Sequence, residues 1–194
     1  MANQIQKIVL GSVLAQAQSK GVQLAAALMD VALVVMIDDS SSMEAKDCEG
    51  GVSRKRKAQE EIERLQKENA GKILVIEFAG QAEIRLDGLL KHDVGYGTNM
   101  TEALRVAQQF DGTGVNFVMV SDGEPDREAD VIALARTFKT PIQTVFVGNR
   151  YLEHDGVAFL KRLADVTGGK YQVSLKPAEL AAPLTAILAL PAPK

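Results

Sequence analysis

One cysteine and two histidines among 194 residues exclude two kinds of scaffold at once. Cys48 alone cannot close an intrachain disulfide, and with only His92 and His154 beside it the soft ligands of a structural zinc cluster are missing. A metal bound here would be held by oxygen. An excess of positive charge is also absent: 22 Lys and Arg stand against 25 Asp and Glu, a net −3 that offers no field for nucleic acid or an anionic membrane. No apolar run approaches the ~20 residues that cross a bilayer. The best stretch, Val31 to Ile37, is closed by Asp38 and Asp39. Met1 to Lys7 is polar and precedes only the short apolar patch Ile8 to Leu10, which does not match a secretory signal. A cytoplasmic location is therefore expected, and a reducing compartment suits the lone thiol.

What is present reads as one domain with alternating strands and helices. With 46% apolar and 24% charged residues, the chain can build one sizeable core. Apolar runs at 31–37, 73–78, 115–120 and 142–147 are nearly continuous, as in central strands covered on both faces. Residues 82–86 follow Ala79-Gly80 closely enough to pair back on 73–78 at a sheet edge, and 171–173 forms a last short strand. Helical stripes lie between them: Ala58, Ile62 and Leu65 over 54–69; Met100, Leu104 and Ala107 over 99–110; Ala129, Ile132, Ala133 and Arg136 over 126–138; Phe159, Leu160 and Leu163 over 157–166. A final helix runs from Pro177 to Leu190, and residues 4–28 make one or two helices interrupted near Gly21. This alternation predicts a largely parallel α/β sheet. The basic run Arg54-Lys-Arg-Lys57, beside Glu60, Glu61 and Glu63, reads as a solvated first turn or loop.

Chemistry concentrates where the first strand ends, in Asp38-Asp39-Ser40-Ser41-Ser42-Met43. Ligands of open α/β sheets bind at that end. Alone, the segment could be an Asp/Ser turn capping a helix. The Asp38-x-Ser40-x-Ser42 spacing also turns one carboxylate and two hydroxyls toward one centre, a set suited to a hard cation such as Mg²⁺ or Mn²⁺. Neutral hydroxyls leave such a cation most of its charge, and hence an appetite for an external anionic oxygen. Two later loops supply what the centre lacks: Gly95-Tyr96-Gly97-Thr98-Asn99, and Ser121-Asp122-Gly123-Glu124-Pro125 after a central strand.

Together these segments resemble the von Willebrand factor A domain with a metal-ion-dependent adhesion site. That resemblance covers about residues 30–175 and assigns the metal to Asp38, Ser40, Ser42, Thr98 and Asp122. It implies a Rossmann-like, doubly wound, mostly parallel sheet with one antiparallel edge strand and helices on both faces. Residues 1–29 would then be an N-terminal helical extension, 30–175 the domain, and 176–194 a C-terminal helix with a Pro-containing tail. A weaker similarity runs to bacterial tellurite-resistance and stress-associated members, through Lys20-Gly21-Val22 and Phe146-Val147-Gly148. Ser41 stands where the family usually has glycine, so the loop must accommodate a Cβ. Asp39 is more acidic than usual and would add negative charge or face solvent. The loop 44–53 would lie near the metal face and tune partner choice.

The function so implied is a metal-dependent protein-binding module, with Mg²⁺, or else Mn²⁺ or Ca²⁺, capturing an Asp or Glu carboxylate of a partner protein. An alternative is a structural or self-assembly protein whose terminal helices make the contacts, leaving the metal to stabilise loops. Metal-assisted phosphate-ester hydrolysis is the weakest reading, because a phospho-aspartyl enzyme would want a second carboxylate where Ser40 stands. No Gly-x-x-x-x-Gly-Lys-Ser/Thr or Gly-x-Gly-x-x-Gly turn follows the first strand either. Catalysis is not expected. Cys48 has no base placed to activate it, and His92 and His154 read as surface residues.

Overall fold

The apolar runs become the strands of a single sheet: β1 (Leu33–Asp38), β2 (Ile73–Phe78), β3 (Ala82–Arg85), β4 (Asn116–Ser121), β5 (Ile142–Val147) and β6 (Tyr171–Ser174). The computed structural model describes residues 8–47, 50–123, 125–148, 154–174 and 180–193. Cys48, Glu124, Pro177 and the side chain of His154 lie outside what it describes. The strand order is β3-β2-β1-β4-β5-β6. Every pairing is parallel except β2 with β3.

Among the described residues, seven helices connect and cover the sheet: α1 (Val13–Lys20), α2 (Leu24–Leu28), α3 (Arg54–Glu68), α4 (Met100–Gln108), α5 (Glu128–Ala135), α6 (His154–Thr167) and α7 (Ala181–Leu188). Alternate strand residues feed two cores, one on each face of the sheet, as the two-residue period of a strand requires. Val34, Met36, Leu74, Ile76, Phe117 and Met119 pack with residues of α1, α4, α5 and α6. Leu33, Val35, Ile37, Val75, Val118 and Val120 pack instead against α3 and α7. That is why these strands lack hydrophobic alternation: both faces are buried.

The N-terminal segment is sewn onto this body. Val9 and Leu14 N–H groups donate to the carbonyls of Asp87 and Leu86, Gly71 N–H donates to Gly11 O at 2.8 Å, and Val13 and Ala17 join the core. Gly11 has φ +89°, and a Cβ there would fall 2.0 Å from the Gln66 carbonyl oxygen, so only glycine fits. Two expectations need correction. The buried face of α5 is Val131, Ile132 and Ala135, while Ala129, Ala133 and Arg136 are exposed, because the helix is rotated by its contacts with α4 and α6. The C-terminal helix is described only from Ala181, and Leu180 stands at its N-cap. Among the described residues, no helix is long and apolar enough to cross a membrane.

The topology creates one reversal. From β1 the chain crosses through α3 to β2 on one side, and after β3 it crosses through α4 to β4 on the other. The carboxyl ends of β1 and β4 thus flank a crevice, the position at which open α/β sheets bind ligands.

Candidate functional site

Asp38 closes β1 and Ser121 closes β4. The two are joined by a 2.5 Å hydrogen bond from Ser121 Oγ to Asp38 Oδ2, a length typical of a hydroxyl donating to a carboxylate. The other oxygen, Oδ1, accepts the Ser40 N–H at 2.7 Å and folds the chain back after the strand. Ser40 then stands at the N-cap of a short 3₁₀ turn, Ser41–Glu44. The Ser40 and Ser42 hydroxyls lie 2.9 Å apart, and Ser42 Oγ donates to Asp122 Oδ1 at 2.7 Å. Four of the five residues expected from the sequence are therefore in one hydrogen-bonded row. Asp38, Ser40 and Asp122 are buried and Ser42 is exposed, so the row opens to solvent at Ser42. Ser41 is exposed and has no left-handed φ. Its Cβ costs the turn nothing.

Thr98 reaches the same edge by a different route. Its loop docks on the end of β2, where Asn99 N–H donates to Ala79 O at 2.7 Å and Asn99 Nδ2 to Gly80 O at 3.2 Å. Asp126, three residues beyond the Gly123 turn, accepts the Thr98 N–H at 3.0 Å and ties this loop to the one after β4. Among the described residues, no hydrogen bond links Thr98 to the other four. The approach is close: a Cβ on Gly80 would lie 2.4 Å from the Tyr96 carbonyl oxygen. Gly80→Ala is therefore expected to push the 95–99 loop away and to cost about 1–3 kcal/mol of stability, as overpacking does. A denaturant titration checks this, and an unchanged midpoint would mean that the loop has room to yield.

The acids are not alone. Arg54, the first residue of α3, is only 4% exposed. Its Nη1 donates to Asp122 Oδ2 at 2.7 Å. Nε and Nη2 embrace Asp47 at 2.6–3.1 Å and hold that carboxyl below the usual carboxylate range. Lys55 Nζ pairs with Asp39 Oδ1 at 2.8 Å. The start of the basic run is therefore not a solvated turn, and of the two readings of Asp39, added negative charge or a side chain facing solvent, the second falls, since Asp39 is 6% exposed. Helix α3 packs one face on the sheet, and its first turn consequently points into the crevice. The clue in the sequence was the position of the run, at the head of the helix that follows the Asp-x-Ser-x-Ser loop.

His92 also belongs to this neighbourhood. Its Nδ1 lies 2.6 Å from Asp39 Oδ1 and 3.6 Å from Glu77 Oε1, and among the described residues it alone has a left-handed φ, 57°, without being glycine. Asp39, Glu77 and His92 thus bring three potential metal-donor atoms within 4.8 Å of one another. A cation at that second group would have to displace Lys55 from Asp39, while Arg85 already neutralises Glu77 at 2.6 Å.

Electrostatics favour a cation at the first group. Burial pushes the Asp38 carboxyl up to about 7, the hydrogen bond from Ser121 offsets part of this, and the neighbouring Asp122 charge raises it further. A carboxylate made costly by burial and by a second acid is one that a metal ion would relieve. Carboxylate and hydroxyl oxygens are also the donors that hard divalent cations take, so the residues fit the group.

The sequence matches no protein-family model and no curated protein. Solved structures do share the fold. An aerotolerance-related membrane protein from Bacteroides fragilis aligns with TM-score 0.65 and 19% identity over 81% of this chain and 98% of its own. A von Willebrand factor type A protein from Catenulispora acidiphila gives 0.54 and 16% over 82% of this chain and 42% of its own. The manganese-loaded TRAP protein of Plasmodium vivax gives 0.50 and 14% over 82% and 73%. The protein has the von Willebrand factor A fold, a mostly parallel six-stranded sheet with one antiparallel edge strand and flanking helices.

Proposed function

We propose that this chain is a non-enzymatic, cytoplasmic protein-binding module in which a divalent cation captures an Asp or Glu carboxylate of a partner protein. Mg²⁺ is the first choice, with Mn²⁺ and Ca²⁺ as alternatives. The observation that supports this most is the row from Ser40 through Ser42 to Asp122, which gathers hydroxyl and carboxylate oxygens at the crevice from positions 80 residues apart. A structural neighbour solved with manganese bound adds support for a divalent metal in this fold.

Bound among Asp38, Ser40, Ser42, Thr98 and Asp122, the cation would supply a Lewis-acidic charge that an external carboxylate can complete. The protein's part is to hold the ligands ready. Ser121 Oγ and the Ser40 N–H fix both oxygens of Asp38, and the exposed Ser42 leaves an approach from solvent. Loops around the site would select the partner's shape and charge. The alternative of assembly through terminal helices has less to stand on, since Val13 and Ala17 of α1 and Leu184 and Ile187 of α7 already pack in the two cores.

Ser42→Ala removes one hydroxyl at an exposed position and is expected to weaken Mg²⁺-dependent partner capture about tenfold or more with an unchanged melting curve. Pull-downs from the native host, with Mg²⁺ and with EDTA, provide the measurement. Equal capture in EDTA would overturn the reading.

A further inference from the structure

The first turn of α3 brings a resident cation into the site. Arg54 is buried, its backbone N–H donates to Ala45 O at 3.1 Å, and its guanidinium bridges Asp122 and Asp47. Asp122 therefore faces two ways: Oδ1 takes the Ser42 hydroxyl and Oδ2 takes Nη1 of Arg54. A guanidinium keeps its charge at every pH at which a protein is folded, so Arg54 sets a constant positive charge beside Asp122. Asp39, the other acid of the loop, is cancelled separately by Lys55.

We propose that Arg54 is a built-in counter-cation of the metal site: it shares Asp122 with the divalent ion, loosening the ion and leaving it more positive charge for a partner's carboxylate. The inference rests on the metal reading above. Asp38, Asp122 and Asp47 carry three negative charges and Arg54 one positive, so with a divalent ion bound Arg54 makes the cluster one charge more positive than it would be without it. Two like charges sharing one carboxylate in a water-poor crevice repel strongly, which weakens metal binding; the same repulsion makes an anionic ligand welcome. Asp47, only partly buried, tempers Arg54 from the other side. Arg54 acts through Asp122 and is a positioning residue.

Opposite signs separate this role from simple bracing. If Arg54 merely braced Asp122, its loss would loosen the ligand and weaken metal binding. Under the proposal, Arg54→Gln tightens it. The test is a titration of the full chain with Mn²⁺ alone, read by calorimetry and by the loss of free-Mn²⁺ paramagnetic signal, with thermal melts to confirm folding. Arg54→Gln is expected to bind Mn²⁺ about tenfold tighter than wild type, and Arg54→Lys to stay within about threefold of it. Asp47→Asn, which removes one of the carboxylates paired with the guanidinium, should weaken binding by about threefold or more. Equal or weaker binding by Arg54→Gln, while the wild type binds, overturns the proposal and leaves the metal reading standing. No Mn²⁺ binding by either overturns both. Should Arg54→Gln fail to fold, unchanged or tighter binding by Asp47→Asn overturns the proposal.

Discussion

Asp38→Asn is expected to stabilise the metal-free protein at pH 8 while abolishing its response to divalent cations. The side chain is 1% exposed, and burial holds its carboxyl at about 7, against about 3.9 in an unfolded chain. Folded protein therefore binds more protons than unfolded protein between about pH 4 and pH 7, and this group's contribution to stability falls as pH rises through that window. Below it both states are protonated, and above it both are ionised. An uncharged isostere escapes the loss: Asn Oδ1 can accept the Ser40 N–H, and Nδ2 can donate to Ser121 Oγ. The expected gain over wild type is near zero at pH 4 and grows to roughly 4 kcal/mol at pH 8, about 10 °C in melting temperature for a domain of this size. Parallel thermal melts from pH 4 to 8 give the measurement. A gain that does not grow with pH would place the carboxylate in a better-solvated setting than the structure describes. Stability given up at a buried acid is a common mark of a functional site.

Arg85→Ala is expected to have the opposite effect and a comparable size. Glu77 is fully buried in β2, in register with Ile37 of β1, and Arg85 Nε reaches it at 2.6 Å while the other guanidinium nitrogens hold Glu83 and Asp93. Removing the arginine strands a buried charge, at a cost of about 3–5 kcal/mol. The melting temperature should fall by about 10 °C. Glu77 also accepts the N–H groups of Lys91 and His92, at 3.0 and 2.9 Å, so the loop that aims His92 at Asp39 should loosen with it. Adding Glu77→Gln to Arg85→Ala removes the stranded charge but keeps an acceptor for that loop. At least half of the loss should return. Urea titrations of the two variants decide it; equal destabilisation would mean that the ion pair contributes packing and not charge.

Residues near in sequence made most of the fold readable. Runs such as Leu33 to Ile37 and Ile73 to Phe78 are strands because both faces of the sheet are covered, and helical stripes such as Ala58, Ile62 and Leu65 point into the core as their spacing requires. The ligand loop was readable for a similar reason: Asp38, Ser40 and Ser42 are two apart, and the turn after a strand brings them together with only local hydrogen bonds. Ser121 was missed beside Asp122, because an ordinary serine at a strand end gives no sign that its hydroxyl crosses to the neighbouring strand. The stripe of α5 was misplaced because alanines are too small to show which face packs.

By itself the sequence determined the order of strands and helices, the exclusion of disulfide and zinc scaffolds, and the oxygen-rich ends of the first and fourth strands, since each depends on composition or on neighbours a few residues apart. Only the tertiary structure decided which charges meet. Arg54 and Asp122 are 68 residues apart, and Arg54 is one of four consecutive basic residues that are equivalent in composition. Packing one face of α3 on the sheet selects Arg54 for Asp122 and Lys55 for Asp39. It leaves Arg56 in solvent. Ion pairing of this kind follows from the rotation of a helix about its axis, and that rotation is set by the whole core.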